Sequence, residues 1–196
     1  MGEPLGRLVQ LVLRGDGLTT TALEILTGQP VQVVVRQHCR QPLPSAGAAD
    51  APGYTGVLGV DAGDEAAALE LTAGDDVLVR EVLLIGADGL RYGAARLVAA
   101  AGRLPTPLAH RLATTDEPIG RLLAAAGVPV VRQLRDWGLR RAGDRAPLLV
   151  GDLLPDARVP ARTYLMRLRD GAPLALITEW FAPTVFAADH PTGGAR

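Results

Sequence analysis

Two strand-like runs each carry one charged residue on a face that is otherwise apolar. In residues 77–85 (VLVREVLLI), period-2 alternation sets Arg80 beside Leu78, Val82 and Leu84. In residues 174–181 (LALITEWF), the same period sets Glu179 beside Ala175, Ile177 and Phe181. An ionised group in an apolar interior requires a counter-charge or a polar ligand. The inward arginine and the inward glutamate therefore either pair with each other or flank a small molecule between them. A buried pair would fix two strands while adding little net stability. As a ligand site, the arginine would grip a carboxylate by a bidentate bond. The glutamate would then accept a hydroxyl hydrogen bond or act as a general base. The residue types leave both possibilities open.

The rest of the sequence offers no competing chemistry. There is no Gly-rich phosphate loop, nucleophile elbow or metalloprotease helix. His38, His110 and His190 do not stand at metal-ligand spacing from one another or from Cys39, and each reads as a surface or satisfied residue. A metal-dependent or nucleotide-binding enzyme is not expected. Cys39 reads as a small hydrophobe in or after a strand, Trp137 and Trp180 as packing residues, and Glu81 as solvent-facing. Arg132, Arg135, Arg140 and Arg141, around Asp136, read as a charged solvated surface.

Composition sets the frame for these residues. The 196-residue chain is 48% hydrophobic, enough for one domain (residues 1–196) with a sizeable core. A net charge of −1 gives no electrostatic footprint for nucleic acid or an anionic membrane. All 20 basic residues are arginine, so any single arginine is a weaker signal than usual. No uncharged stretch is long enough to span a membrane, residues 8–13 are too short and wrongly flanked for a signal peptide, and one cysteine excludes an internal disulfide. These features together read as a cytoplasmic protein; oligomeric state is not encoded in any of them.

Short helices are expected over residues 5–13 and 19–26, the second capped by Thr19 or Thr20 and stopped by Gly28. A β-branched strand follows at 31–40, then a Pro- and Gly-rich surface loop at 41–56. Residues 64–71 fit a helical turn or a ragged strand. The Arg80 strand returns as 90–98 through the Ala87-Asp88-Gly89 turn. Helices follow through Ala113 and from Asp116-Glu117-Pro118 to Gly127, then a strand at 128–134. A second Asp-Gly turn, Asp170-Gly171, joins strands 161–169 and 174–181, and residues 187–196 form a tail. Hairpins with interspersed short helices, without a βαβ rhythm, argue for an α+β fold around an antiparallel sheet.

Several of these segments resemble the chorismate pyruvate-lyases. Arg80-Glu81-Val82-Leu83-Leu84 followed by Ala87-Asp88-Gly89 is similar to the family's central hairpin. Pro118-Ile119-Gly120-Arg121-Leu122-Leu123 resembles the helix start after it, and Thr178-Glu179-Trp180-Phe181-Ala182-Pro183 the last strand. Asp16-Gly17-Leu18-Thr19 resembles an N-terminal pocket segment. Order and spacing agree over residues 7–186, closest to the branch that supplies 4-hydroxybenzoate for secondary metabolites and glycolipids.

The resemblance implies an antiparallel sheet whose flanking short helices enclose an internal pocket. Carried over by position, Arg80 binds the ring carboxylate of chorismate with help from the Leu18 N–H, and Glu179 meets the ring hydroxyl near the Ile119 N–H. Chorismate would lose its enolpyruvyl ether to give 4-hydroxybenzoate and pyruvate, driven by aromatisation and without a cofactor. Glu179 is the base or an orienting acceptor, and Arg162 is placed to meet the second carboxylate. Leu18 departs from the methionine of the ubiquinone-pathway members, which a backbone contact tolerates. Effector (UTRA) domains of GntR-type regulators share the fold, and their final hairpin resembles residues 162–179. A non-catalytic binder of aromatic acids, or a cyclase or tailoring enzyme reusing the pocket, is therefore the alternative.

Overall fold

The computed structural model describes residues 5–15, 18–44 and 62–187. Most of the expected 41–56 loop, nearly all of the 187–196 tail, His190 and the Asp16-Gly17 pair lie outside the described residues. The chain runs α1 (Arg7–Arg14), α2 (Thr19–Thr27), β1 (Val31–Pro42), α3 (Ala62–Ala68), β2 (Asp76–Gly86) and β3 (Arg91–Ala100). It continues with α4 (Thr106–Thr114), α5 (Ile119–Ala125), β4 (Val130–Arg141), α6 (Ala146–Leu149), β5 (Arg158–Leu168) and β6 (Pro173–Phe181). The six strands form one sheet in the order β1-β2-β3-β6-β5-β4, every neighbouring pair antiparallel. The architecture is the expected α+β sheet with short helices.

Both hairpins turn by the same device. Gly89 and Gly171 adopt the left-handed φ values of 79° and 89° that the Asp-Gly turns require. The preceding aspartates accept the backbone N–H two residues on, Leu90 to Asp88 at 2.9 Å and Ala172 to Asp170 at 3.0 Å. β6 pairs with β3, so the hairpin bearing Arg80 and the hairpin bearing Glu179 join into one surface.

Four local expectations are corrected, and one left open, at residues 64–71, is decided. Neither Thr19 nor Thr20 caps α2: Leu18 is the N-cap, because the Thr19 hydroxyl is engaged by the sheet instead. β1 continues past Arg40, with Gln41 opposite Val77 and Pro42 opposite Asp76. Residues 62–68 are helical, with Asp64 and Glu65 in the first turn where the helix dipole favours acids. Asp116 and Glu117 precede α5 rather than opening it, since Pro118 is its N-cap. β4 runs on to Arg141 through a bulge at Arg135, and Arg132, within the part of the strand already expected, lines the cavity on the inner face instead of lying in solvent.

That inner face carries two cross-strand rows. One is Arg80, Leu97, Ile177, Tyr164 and Leu134; the other is Val82, Ala95, Glu179, Arg162 and Trp137. α4 and α5 pack over part of this face through Leu108, Leu112, Ile119, Leu122 and Leu123 against Leu78, Leu97 and Ile177, all buried. Leu69, just after α3, packs on the opposite face with Val77, Val79 and Val98. Glu81 lies on that opposite face, as its alternation requires, but not as a free surface charge: it pairs with Arg96 at 3.2 Å, which also holds Glu65 at 3.0 Å. No helix among the described residues is long and apolar enough to cross a membrane.

Candidate ligand site

A cavity of about 80 Å³ lies between the inner sheet face and the converging N-terminal ends of α2 and α5. A single water needs roughly 10–15 Å³ on this measure, so the space suits a small molecule rather than one solvent site. Its floor is Arg80, Val82, Ala95, Leu97, Ile177, Glu179 and Tyr164; its roof is Leu18, Thr19 and Thr20 from α2 and Pro118, Ile119 and Gly120 from α5. Arg132 from β4 closes one side. Ala95 stands directly between Val82 and Glu179, and its small side chain leaves depth for a ring there.

Arg80 and Glu179 both line this cavity but do not pair with each other. Glu179 is 4% exposed and faces Arg162, 3% exposed, across β5 and β6. The Arg162 Nε donates to Glu179 Oε2 at 2.6 Å, forming a buried ion pair. Arg162 is thus turned toward Glu179. Thr19 Oγ1 donates to Glu179 Oε1 at 2.5 Å, and the Tyr164 hydroxyl donates to the same oxygen at 3.3 Å. Burial works against the charge on Arg162, but the charge and hydrogen bond of Glu179 outweigh it and raise its pKa. Burial, and next the Glu179 carboxylate, push the Tyr164 phenol well above its ordinary value, with Arg162 and Arg132 pulling partly the other way.

The two inward arginines act as parallel anchors for the roof. Arg162 Nη1 donates to the carbonyls of Val12 and Gly15, both at 2.7 Å, at the C-terminal end of α1. Arg80 Nη1 and Nη2 donate to the carbonyls of Glu117 at 2.9 Å and Thr115 at 2.8 Å, in the link from α4 to α5, with Leu112 at 3.4 Å. Helix C-terminal carbonyls favour a cation, so each arginine fixes one of the two segments that lead into the roof. Arg80 is 2% exposed and its Nε is buried without a hydrogen-bond partner. Burial lowers the Arg80 pKa, and the Asp116 carboxylate offsets part of this.

The structure thus brings Arg80, Glu179, Leu18 and Ile119 to one cavity, with Arg162 directly behind Glu179. Sequence reasoning missed Tyr164 and Arg132 as cavity residues, and reached Thr19 only as part of the pocket segment that the resemblance implies. Tyr164 alternates with Arg162 and Met166 along β5, a signal available only if that strand's inner face is known.

A sheet in this order, with short helices roofing one cavity on its inner face, defines the chorismate lyase-like class that also includes the ligand-binding domains of GntR-type regulators. The chain belongs to the family described as chorismate pyruvate-lyase Rv2949c-like, which matches residues 13–188. No curated protein matches the sequence. Among solved structures it is similar to the effector domain of PhnF from Mycobacterium smegmatis, at 17% identity and a TM-score of 0.58, covering 87% of this chain and 91% of that one. Against the longer PhnF chain the identity and TM-score are the same, and the match spans 65% of its length. A GntR-family transcriptional regulator from Bacillus cereus matches at 14% identity and a TM-score of 0.55, over 81% of this chain and 96% of that one. These likenesses establish the fold.

Proposed function

We propose that the protein eliminates pyruvate from chorismate to give 4-hydroxybenzoate. The observation that carries this reading is a single cavity lined by both the Arg80 cation and the Glu179 carboxylate, which do not pair with each other. Strands β2 and β6 are two places apart and the two residues stand in adjacent rows, so their Cα atoms are about 12 Å apart. Ala95, Leu97 and Ile177 line the cavity between them, and in this reading a single para-substituted ring lies over these residues. Arg80 then holds the ring carboxylate, with the Leu18 N–H close by. Glu179 meets the ring hydroxyl or takes the proton from the carbon that bears it, with Ile119 in the roof above. Aromatisation supplies the driving force, so the site has to orient the substrate and place a base.

A second reading, a non-catalytic receptor for an aromatic acid, is favoured by the regulator domains that share the fold and by the three donors that already surround Glu179. Purified protein incubated with chorismate discriminates the two. Equimolar 4-hydroxybenzoate and pyruvate support the lyase. Unconsumed chorismate, with saturable binding of 4-hydroxybenzoate, supports the receptor and rejects the lyase.

A further inference from the structure

We propose that Tyr164 is the acid partner of Glu179, donating its phenolic proton to the ether oxygen as the enolpyruvyl group departs and regaining one from Glu179 afterwards. This rests on the lyase reading above and extends it to the leaving group. Tyr164 lies in the same cross-strand row as Arg80, with Leu97 and Ile177 between them, and its hydroxyl is 3.3 Å from Glu179 Oε1. A ring held by its carboxylate at Arg80 and its hydroxyl at Glu179 carries the ether oxygen on the carbon next to the hydroxyl. That oxygen must therefore lie beside Glu179.

Two hydroxyls stand beside Glu179 among the described residues, those of Thr19 and Tyr164. Thr19 is engaged on both sides, accepting from Arg162 Nη2 at 2.8 Å while donating to Glu179 at 2.5 Å. An aliphatic hydroxyl also releases a proton far less readily than a phenol, whose acidity is close to that of the enol being formed. Tyr164 is the better donor on both counts. Buried beside a carboxylate, it stays protonated until the leaving oxygen develops charge. The guanidinium of Arg162 lies 5.2 Å from the centre of the Tyr164 ring, where it stabilises the phenolate left by donation.

The proton count closes within the site. Glu179 takes the proton from the hydroxyl-bearing carbon, and that C–H pair becomes the ring double bond that completes aromaticity. The bond from the neighbouring ring carbon to the ether oxygen breaks, its electron pair stays on oxygen, and the Tyr164 proton converts it to the enol of pyruvate. Protonated Glu179 then faces the Tyr164 phenolate across the existing 3.3 Å contact, and transfer along it resets both groups. The enol tautomerises to pyruvate.

The test is Tyr164→Phe assayed with chorismate, beside wild type. The expected result is a fall in kcat of about 100-fold, within the range for one positioned acid, with KM and 4-hydroxybenzoate affinity changed by less than about threefold. Replacement by 3-fluorotyrosine at the same position, which raises acidity while preserving packing, should change kcat severalfold at fixed pH and serves if the phenylalanine variant folds poorly. Tyr164→Phe turning over at close to the wild-type rate, or an unchanged kcat with fluorotyrosine, overturns the assignment while leaving the lyase intact. Wild type that does not consume chorismate overturns the lyase reading and this inference with it.

Discussion

Arg162 and Glu179 face each other across β5 and β6 with Nε 2.6 Å from Oε2, both almost wholly buried, and the same guanidinium reaches the Val12 and Gly15 carbonyls. One ion pair thereby ties the sheet, the end of α1 and the start of α2 into a single support for the cavity roof. Replacing Arg162 by Met leaves Glu179 buried without its counter-charge, which costs about 3–5 kcal/mol. Urea unfolding should show this loss. The double variant Arg162→Met, Glu179→Leu should recover most of it, and no recovery would mean that the contacts to α1 dominate.

Arg80 plays the matching part for the roof segment leading to α5. Arg80→Met removes its bonds to the Thr115 and Glu117 carbonyls as well as the charge it presents at the cavity. Loss of a charged hydrogen bond is worth about 1.5–3 kcal/mol, so 4-hydroxybenzoate binding should weaken by about 10- to 100-fold in calorimetric titration. Phenol, which lacks the carboxylate, should bind wild type and variant alike.

Two glycines separate roof from scaffold. A Cβ on Gly120 would lie 2.6 Å from Leu18 Cδ2 and 3.1 Å from Arg132 Nη2, both ends of side chains that can swing aside. Gly120→Ala should therefore change stability by less than about 1 kcal/mol, since the helix gains propensity. Ligand affinity should still fall, because Leu18 shifts within the cavity. A Cβ on Gly93 would lie 2.6 Å from the Trp180 carbonyl oxygen, backbone that cannot yield, so Gly93→Ala should cost about 1–3 kcal/mol.

Two groups set opposite pH limits on stability. The Tyr164 pKa is raised in the fold, so the unfolded chain ionises first and stability falls as pH rises through the ordinary phenol value of 10.0. His38, opposite Arg80 in the β1–β2 register, has a lowered pKa from burial and then from that cation. The unfolded chain therefore binds the proton first, and stability falls as pH drops below 6.5. Tyr164→Phe should flatten the alkaline limb and His38→Gln the acidic one in thermal scans across pH.

The sequence made some of this legible and hid the rest for physical reasons. Arg80 and Glu179 stood out because each interrupts an apolar face, and the Asp-Gly turns marked both hairpins. The ion pair of Glu179 with Arg162 did not stand out, because it depends on the β5–β6 register, a property of pairing between strands. Arg132 looked like one more surface arginine because only its register opposite Met166 on β5 shows that it borders the cavity. Thr19 has the residue type of a helix cap, and only the nearness of β6 shows that its hydroxyl serves Glu179 instead. Leu18 and Ile119 were reachable through family resemblance alone, since the roles it implies for them belong to backbone N–H groups.

The central claim is that Arg80 and Glu179 turn over chorismate rather than merely bind an aromatic acid. The measurement that tests it most directly is the rate of pyruvate release at saturating chorismate, for wild type and for Glu179→Gln, with 4-hydroxybenzoate quantified in the same samples. The account predicts equal amounts of both products from wild type and at least a 100-fold lower rate from Glu179→Gln, as expected when a positioned base is removed. Chorismate left intact by a wild-type protein that binds 4-hydroxybenzoate would contradict it.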